Sequence, residues 1–222
     1  MKNMFVAIVP AYNEEKHIGS VVRSLLQYVD RVVVIDDGSV DSTAKEAESA
    51  DAIVIRHEIN RGQGAAIETG HEYARLVSAD YVLHFDADGQ FDVRDIAPAL
   101  AELKEKKADM LLGSRFLDNR SNLPLLKRYA VLPVGRFINR MFTGVSLTDA
   151  HNGFRILNRH ALDSIYLSHD RMAHATEIVF LARQASLSVI EFPVKVVYRE
   201  YGQSTMGGIK IIKDLLFGRV IK

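Results

Sequence analysis

The stretch that decides the fold is Phe5-Val6-Ala7-Ile8-Val9, which is followed directly by Pro10-Ala11-Tyr12-Asn13-Glu14. A short apolar run rich in β-branched residues is typical of a strand that is buried on both faces of a parallel sheet. Pro10 lacks an amide donor and is expected to end this strand. Tyr12, Asn13 and Glu14 would then face a ligand at the strand tip.

Similar apolar runs recur along the first half of the chain, at Val32–Ile35, Ile53–Ile55, Tyr81–Phe85 and Met110–Leu112. Between them the apolar residues follow helical spacing around residues 18–26 and 96–103, and a helix over Ser42–Ala50 is expected with Asp41 as its N-cap. This alternation predicts an α/β fold with a mostly parallel central sheet flanked by helices, which binds ligands at the carboxyl ends of its strands.

The pattern is less regular after Gly113. It predicts strands at Phe154–Leu157 and Val189–Val197, and helices at Leu125–Phe142, Ala173–Ala185 and Gly207–Ile221. No internal repeat or linker is evident. We therefore expect one domain over residues 1–206, with residues 207–222 as a C-terminal amphipathic helix of the same unit.

Composition narrows the classes of function. The 222 residues are 48% hydrophobic and 25% charged, as in ordinary globular proteins. The 28 Lys and Arg residues equal the 28 Asp and Glu residues, so net charge gives no indication of a nucleic-acid partner. The absence of Cys excludes disulfides and thiolate chemistry. The longest uncharged stretch, Asn3–Asn13, is too short to span a membrane. We expect a cytoplasmic protein, with peripheral membrane contact left open.

Two acidic segments follow predicted strands. Asp36-Asp37-Gly38-Ser39 could accept hydrogen bonds from a ribose or a base, although Asp-Gly is also common in simple turns. Asp86-Ala87-Asp88-Gly89-Gln90 places two carboxylates where they could hold a divalent cation together with substrate phosphates. The polar segment that follows the first strand, Pro10–Glu15, and the segment Asp36–Ser39 come at neighbouring strand ends, and this coincidence favours a nucleotide site.

Other kinds of site are excluded or weakened. No P-loop and no G-x-S-x-G elbow is present. Gly62-Gln63-Gly64 begins a dinucleotide-binding pattern, but Ile67 occupies the third glycine position. His57-Glu58 and His71-Glu72 are not completed as zinc motifs, because each lacks the second histidine.

In combination these motifs resemble the inverting family 2 glycosyltransferases with the GT-A fold, and among them the dolichol- or polyprenyl-phosphate mannose and glucose synthases. The resemblance covers about residues 4 to 205. It rests on the segments already quoted and on Asp41-x-Thr43, Asn60-Arg61-Gly62-x-Gly64, Gly113-Ser114-Arg115, Asp149-Ala150-His151-Asn152-Gly153-Phe154-Arg155 and Tyr198-Arg199-x-x-Gly202-x-Ser204.

The resemblance implies a role for each matching position. The base and ribose of a nucleotide-diphosphate sugar would be held by Pro10, Ala11, Tyr12, Glu14 and Asp37. Asp86 would lie near the ribose and, with Asp88 and Gln90, hold Mg²⁺ or Mn²⁺ at the diphosphate. Arg199 would contact the diphosphate from a closing loop over residues 198–208. Arg115 and Arg128 would receive the acceptor phosphate. His151-Asn152 departs from the subgroup's pattern and leaves the acceptor type open.

The acceptor segment is basic. Between residues 115 and 140 the sequence has one acidic residue, Asp118, and six cationic ones: Arg115, Arg120, Lys127, Arg128, Arg136 and Arg140. They fit a phosphate acceptor or, alternatively, a solvated helix face. A hydroxyl acceptor would need a general base, for which Asp149 is the candidate and Glu177 the reserve. We therefore expect hexose transfer to a polyprenyl or dolichyl phosphate. The first alternative is a family 2 enzyme that transfers sugar to a saccharide or other hydroxyl acceptor in cell-surface glycan synthesis. The second is a non-catalytic nucleotide-binding module.

The terminal segment 207–222 combines an apolar face with four bordering cations, which suits a helix on an anionic membrane surface. Packing on the domain itself, on a membrane-protein partner or on a second copy of the chain explains the same pattern.

Overall fold

A computed structural model of the chain describes residues 3–118, 147–149, 151–171 and 173–197. These residues form one seven-stranded sheet with the order β3-β2-β1-β4-β6-β5-β7. The strands are β1 (Phe5–Ala11), β2 (Arg31–Asp36), β3 (Ile53–Arg56), β4 (Tyr81–His84), β5 (Met110–Ser114), β6 (Arg155–Asn158) and β7 (Val189–Pro193). Neighbours pair in parallel except β6, which runs antiparallel to β4 and β5. The expected mostly parallel sheet is confirmed.

The helices of the described part are α1 (Ile18–Leu25), α2 (Thr43–Glu48), α3 (Gln63–Leu76), α4 (Ile96–Glu105), α5 (Arg159–Ser164) and α6 (His174–Gln184). A 3₁₀ turn at Val93–Asp95 precedes α4. The hydrophobic pattern predicts α1, α2, α4 and α6 but neither α3 nor α5. None of the helices in the described ranges is long and apolar enough to cross a membrane.

Both faces of the sheet are covered, as continuous apolar strands require. On β1, Ala7 and Val9 join a cluster that contains the buried faces of α1 and α4. Val6 and Ile8 point to the opposite face and pack with residues of α3 and α5. Alternate residues of one strand therefore enter two separate cores, and the helices form a layer on each side.

Some boundaries differ from those expected. β1 continues through Pro10 to Ala11, because Pro10 remains in register beside Ile35 of β2 although it has no amide to donate. β7 ends at Pro193, and only an isolated bridge from Phe91 to Val196 follows. The regions predicted as the Leu125–Phe142 and Gly207–Ile221 helices lie outside the described residues.

Candidate active site

The carboxyl ends of β1, β2 and β4 lie at one edge of the sheet, because β1 pairs in parallel with both neighbours. Tyr12, Asp37 and Asp86 follow these three strands, so the structure brings the predicted donor-site segments together. Pro10 and Ala11 belong to β1, and Ala11 is buried. Tyr12 is 48% exposed, which leaves its ring available to stack on a ligand.

Asp37 is buried and makes several hydrogen bonds. Its Oδ1 accepts from the Arg61 amide at 2.9 Å, and its Oδ2 accepts from the Gly62 amide at 2.6 Å. The His57 ring lies between Asp37 and Thr69, with Nδ1 2.7 Å from Oδ1 of Asp37 and Nε2 3.0 Å from the Thr69 hydroxyl. Asp37 and His57 thus fix the shape of the loop over residues 57–62. No sequence motif predicts this role for His57.

The start of α3 is covered by protein backbone. The carbonyl oxygen of Asp170 accepts from the Ala65 amide at 3.0 Å. A Cβ at Gly64 would lie 2.0 Å from the His169 carbonyl oxygen, so this approach requires glycine. A dinucleotide fold would place its diphosphate at such a helix start. Here carbonyl oxygens lie against it, so a diphosphate must be bound elsewhere.

Asp86 and Asp88 form an acidic pair beyond β4. The pKa of Asp86 is raised to about 6, first by burial and second by the charge of Asp88, while Arg155, Arg115 and Gln63 act in the opposite direction. Gln63 donates to Asp86 Oδ1 at 3.1 Å. Burial and the charge of Asp88 also raise the pKa of Glu14, so Glu14 lies within reach of the charge of Asp88. This end of the site is rich in negative charge.

The acidic pair has the donor atoms that Mg²⁺ or Mn²⁺ prefers. Asp88 Oδ1 accepts from the Gln90 amide at 2.9 Å, so a tight turn positions the segment over residues 86–90. In the described part of the chain, no group of three His, Asp or Glu side chains could hold a metal unaided. Magnesium sites commonly use one or two carboxylates and complete their shell with substrate phosphate. The residues therefore fit a cation that binds together with a diphosphate.

Arg115 and Asp149 form a bidentate ion pair. Asp149 accepts from Arg115 Nε at 2.6 Å, from Nη2 at 2.8 Å and from the Arg115 amide at 3.1 Å. Asn152 Nδ2 donates to the same carboxylate at 3.1 Å, and the Asp149 amide donates to Glu191. Asp149 is buried, whereas the Arg115 side chain is 27% exposed. The carboxylate proposed as a base is therefore occupied in orienting the arginine.

Glu177, the reserve base, holds a loop. Its carboxylate accepts from the amides of Ser168 and His169 at 2.9 and 3.0 Å and from the Ser168 hydroxyl. These contacts lower its pKa against the opposing effect of burial. This role is structural, since the loop 168–170 is the one that covers the start of α3.

Arg155 lies beneath the site and is only 1% exposed. Burial lowers its pKa to about 10, while the charges of Asp86 and Asp149 act to raise it. Its Nε has no hydrogen-bond partner within the described ranges. Sequence reasoning assigned Arg155 no role, although it closes the Asp149–Arg155 motif. It places a fixed positive charge between the donor and acceptor ends of the site.

Several predicted site residues cannot be placed. Arg128 and Arg199 lie outside the described residues, as do the other four cations between Arg115 and Arg140 and the closing loop over residues 198–208. Their roles stay predictions.

Comparisons with known proteins agree with this architecture. Residues 6–166 match the family model described as glycosyl transferase family 2. A UDP-N-acetylglucosamine–dolichyl-phosphate N-acetylglucosaminyltransferase of Methanococcus voltae is 34% identical over 94% of this chain and 93% of its own length. A polyprenol monophosphomannose synthase of Mycolicibacterium smegmatis is 27% identical over 93% of this chain and 82% of its own length.

Among solved structures, glucosyl-3-phosphoglycerate synthase from Mycobacterium tuberculosis, crystallised with Mn²⁺, UDP-glucose and phosphoglyceric acid, superimposes with a TM-score of 0.72. The sequences are 17% identical, and the match covers 96% of this chain and 77% of the other. That likeness shows the GT-A fold. The family model matches most of the length of the chain, and the chain therefore belongs to glycosyl transferase family 2.

Proposed function

We propose that this glycosyltransferase moves a hexose from a nucleotide-diphosphate sugar, of the GDP-mannose or UDP-glucose type, to a polyprenyl or dolichyl phosphate. The observation that carries the proposal is the convergence of the Asp86–Asp88 pair with Arg115 at the β4–β6–β5 part of the sheet. Two relatives named for dolichyl or polyprenyl phosphate transfer support the acceptor class. The first is also named for UDP-N-acetylglucosamine, which adds an N-acetylhexosamine to the donors worth testing.

On the donor side, Tyr12, Glu14 and Asp37, with the backbone at Pro10 and Ala11, would hold the base and ribose. Asp86, Asp88 and Gln90 would hold Mg²⁺ or Mn²⁺, which neutralises the charge of a departing diphosphate when bound. Arg199 would add a further positive charge from outside the described residues.

On the acceptor side, the chemistry of a phosphate monoester removes the need for a base. Such an acceptor is largely ionised near neutral pH, so a cationic residue has only to position its oxygen opposite the leaving group. Arg115, oriented by its bidentate pair with Asp149, suits this task together with Arg128. A hydroxyl acceptor would instead require Asp149 to give up its pairing with Arg115 before it could take a proton.

The test is a matrix of donors and acceptors. GDP-mannose, UDP-glucose and UDP-N-acetylglucosamine are each incubated with Mn²⁺ and with a short polyprenyl phosphate, the matching polyprenol or a simple saccharide. We expect transfer to the phosphate and none to the polyprenol, with loss of transfer in EDTA. Transfer to the saccharide would support the hydroxyl-acceptor alternative, and no turnover with any pair would support a non-catalytic role.

A lipid-phosphate acceptor would bring the enzyme to the cytoplasmic face of a membrane. We expect binding to anionic vesicles that weakens with salt, because surface attraction is screened over about a Debye length. Deletion from Gly207 onward should reduce transfer to a long-chain acceptor more than transfer to a water-soluble analogue. Equal reduction for both would indicate that the terminal segment packs on protein instead.

A further inference from the structure

We infer that Gly153 is a positioning residue for Asp86, and that the turn made by Asn152 and Gly153 links Asp86 to the Arg115–Asp149 pair. The inference rests on the proposed function, because that proposal gives Asp86 its part in cation and diphosphate binding. Nothing in the sequence motif itself assigns a role to Gly153.

The first observation is the close approach of Asp86 to Gly153. A Cβ built on Gly153 would lie 2.2 Å from Oδ2, 2.6 Å from Oδ1 and 2.6 Å from Cγ of Asp86. The φ of Gly153 is not in the left-handed region, so glycine is needed here for space and not for backbone conformation. The whole carboxylate rests on the Gly153 backbone.

The second observation is that Asp86 and Gly153 each adjoin a phenylalanine that is anchored in the core. β4 and β6 pair His84 with Arg155, and one residue further Phe85 and Phe154 are both buried with ring centroids 6.2 Å apart. If the antiparallel register is continued beyond the two strands, Asp86 and Gly153 are the next pair of opposite residues. Because the two phenylalanines anchor the strands in the core, neither Asp86 nor Gly153 can withdraw easily from the other.

The third observation concerns the other side of each group. Gln63 donates to Asp86 Oδ1 at 3.1 Å, so the carboxylate is held between a side-chain amide and the Gly153 backbone. Asn152 is buried; its Oδ1 accepts from the Phe154 amide at 2.9 Å, and its Nδ2 donates to Asp149. The turn therefore contacts the acceptor-side ion pair at one end and the donor-side carboxylate at the other.

The consequence is a specific effect of adding one methyl group. Gly153→Ala must displace the Asp86 carboxylate, and a misplaced ligand weakens cation binding more than it weakens the fold. The test measures Mn²⁺ binding in the presence of UDP and of GDP by electron paramagnetic resonance, alongside the KM for donor and kcat. We expect Mn²⁺ affinity to fall at least tenfold and the KM for donor to rise, while the KM for acceptor changes little.

Gly19→Ala is the matched control, because a Cβ at Gly19 on α1 makes only ordinary contacts of 3.4 to 3.5 Å. It should bind Mn²⁺ like the wild type. Wild-type Mn²⁺ affinity in Gly153→Ala would overturn the positioning role. Failure of the wild type itself to bind Mn²⁺ with either nucleotide would instead overturn the proposed cation role of Asp86.

A second measurement does not depend on the metal. Asp86→Ala removes the carboxylate that the new methyl group would strike. Gly153→Ala should therefore lower the melting temperature of the wild-type protein but not that of the Asp86→Ala variant. An equal loss in both backgrounds would show that Gly153 matters for a reason unrelated to Asp86, and the inference would fail.

Discussion

The ends of β2 and β4 carry similar sequences but bury their carboxylates in different ways. Asp37 and Asp86 both follow a buried strand, and each segment turns through a glycine with positive φ, Gly38 at 75° and Gly89 at 67°. Asp37 receives two backbone amides and the His57 ring. Asp86 receives one side-chain amide from Gln63, and Asp88 lies nearby.

This difference separates a carboxylate held mainly by protein groups, with about one acceptor position left for a ribose hydroxyl, from a carboxylate with more capacity for a ligand. A carboxylate can accept about four hydrogen bonds, and Asp37 already has three from the described residues. Asp86 has one from the same residues, and burial with a like charge nearby makes its ionised form unfavourable. A cation at Asp86 would relieve that cost. We therefore expect the β2 end to be stable with or without a ligand, and the β4 end to gain stability from a bound cation.

The largest effect on activity is expected at the β4 end. Asp88→Asn removes one negative charge from the acidic pair and should lower kcat by about 10²- to 10³-fold, the usual cost of losing one charge-stabilising group. Its melting temperature should stay near that of the wild type. Asp163→Asn, at an exposed ion pair with Arg159, is the control and should retain full activity. Near-normal turnover of Asp88→Asn would contradict the view that the β4 end, unlike the β2 end, binds a cation needed for activity.

Asp86→Asn should separate activity from stability. The pKa of Asp86 is about 6 in the folded protein against an ordinary 3.8, so ionisation costs the folded state free energy as pH rises from about 4 to 6, and the cost persists above pH 6. At pH 7 the variant should be more stable by about 1 to 3 kcal/mol, although inactive. Urea unfolding at pH 7 and pH 3.5 checks this, because the gain should vanish at the lower pH. A less stable variant at pH 7 would contradict it.

The same contrast shows what the sequence could and could not predict. Strand runs and strand-end side chains are local features, and they predicted both acidic segments and their shared edge. The direction of β6 and the covering of α3 by residues 168–170 depend on contacts between distant parts of the chain. α3 escaped prediction because its buried face is mostly small, and Gly70 lies so close to Ile8 that a Cβ would be 2.3 Å from a methyl group. Small residues leave little hydrophobic periodicity to detect.

Asp37→Asn should weaken the fold more than it weakens chemistry. The new amide group must face the Arg61 or Gly62 amide, so a partly buried donor loses its acceptor at a cost of about 1 to 3 kcal/mol. We expect the KM for donor to rise because the 57–62 loop loses its anchor, with a smaller change in kcat. Asp170→Asn, which affects only a half-exposed ion pair with Arg61, should be neutral in denaturant unfolding. Loss of kcat without loss of stability would show that Asp37, like Asp86, contributes to activity more than to the fold.

The smallest effect is expected for His57→Gln, because glutamine can still donate to Asp37 while losing the contact with Thr69. Stability should fall by about 0.5 to 1.5 kcal/mol, the net value of one hydrogen bond, and the KM for donor should rise only a few-fold. His160→Gln is the matched control: its ring lies 3.0 Å from Asp109 in a similar pair, but its side chain is 67% exposed against 9% for His57. Exposed pairs contribute little, so the control should unfold like the wild type. If both variants unfold like the wild type, the His57 contact does not stabilise the β2 end, and Asp37 must be held by the Arg61 and Gly62 amides alone.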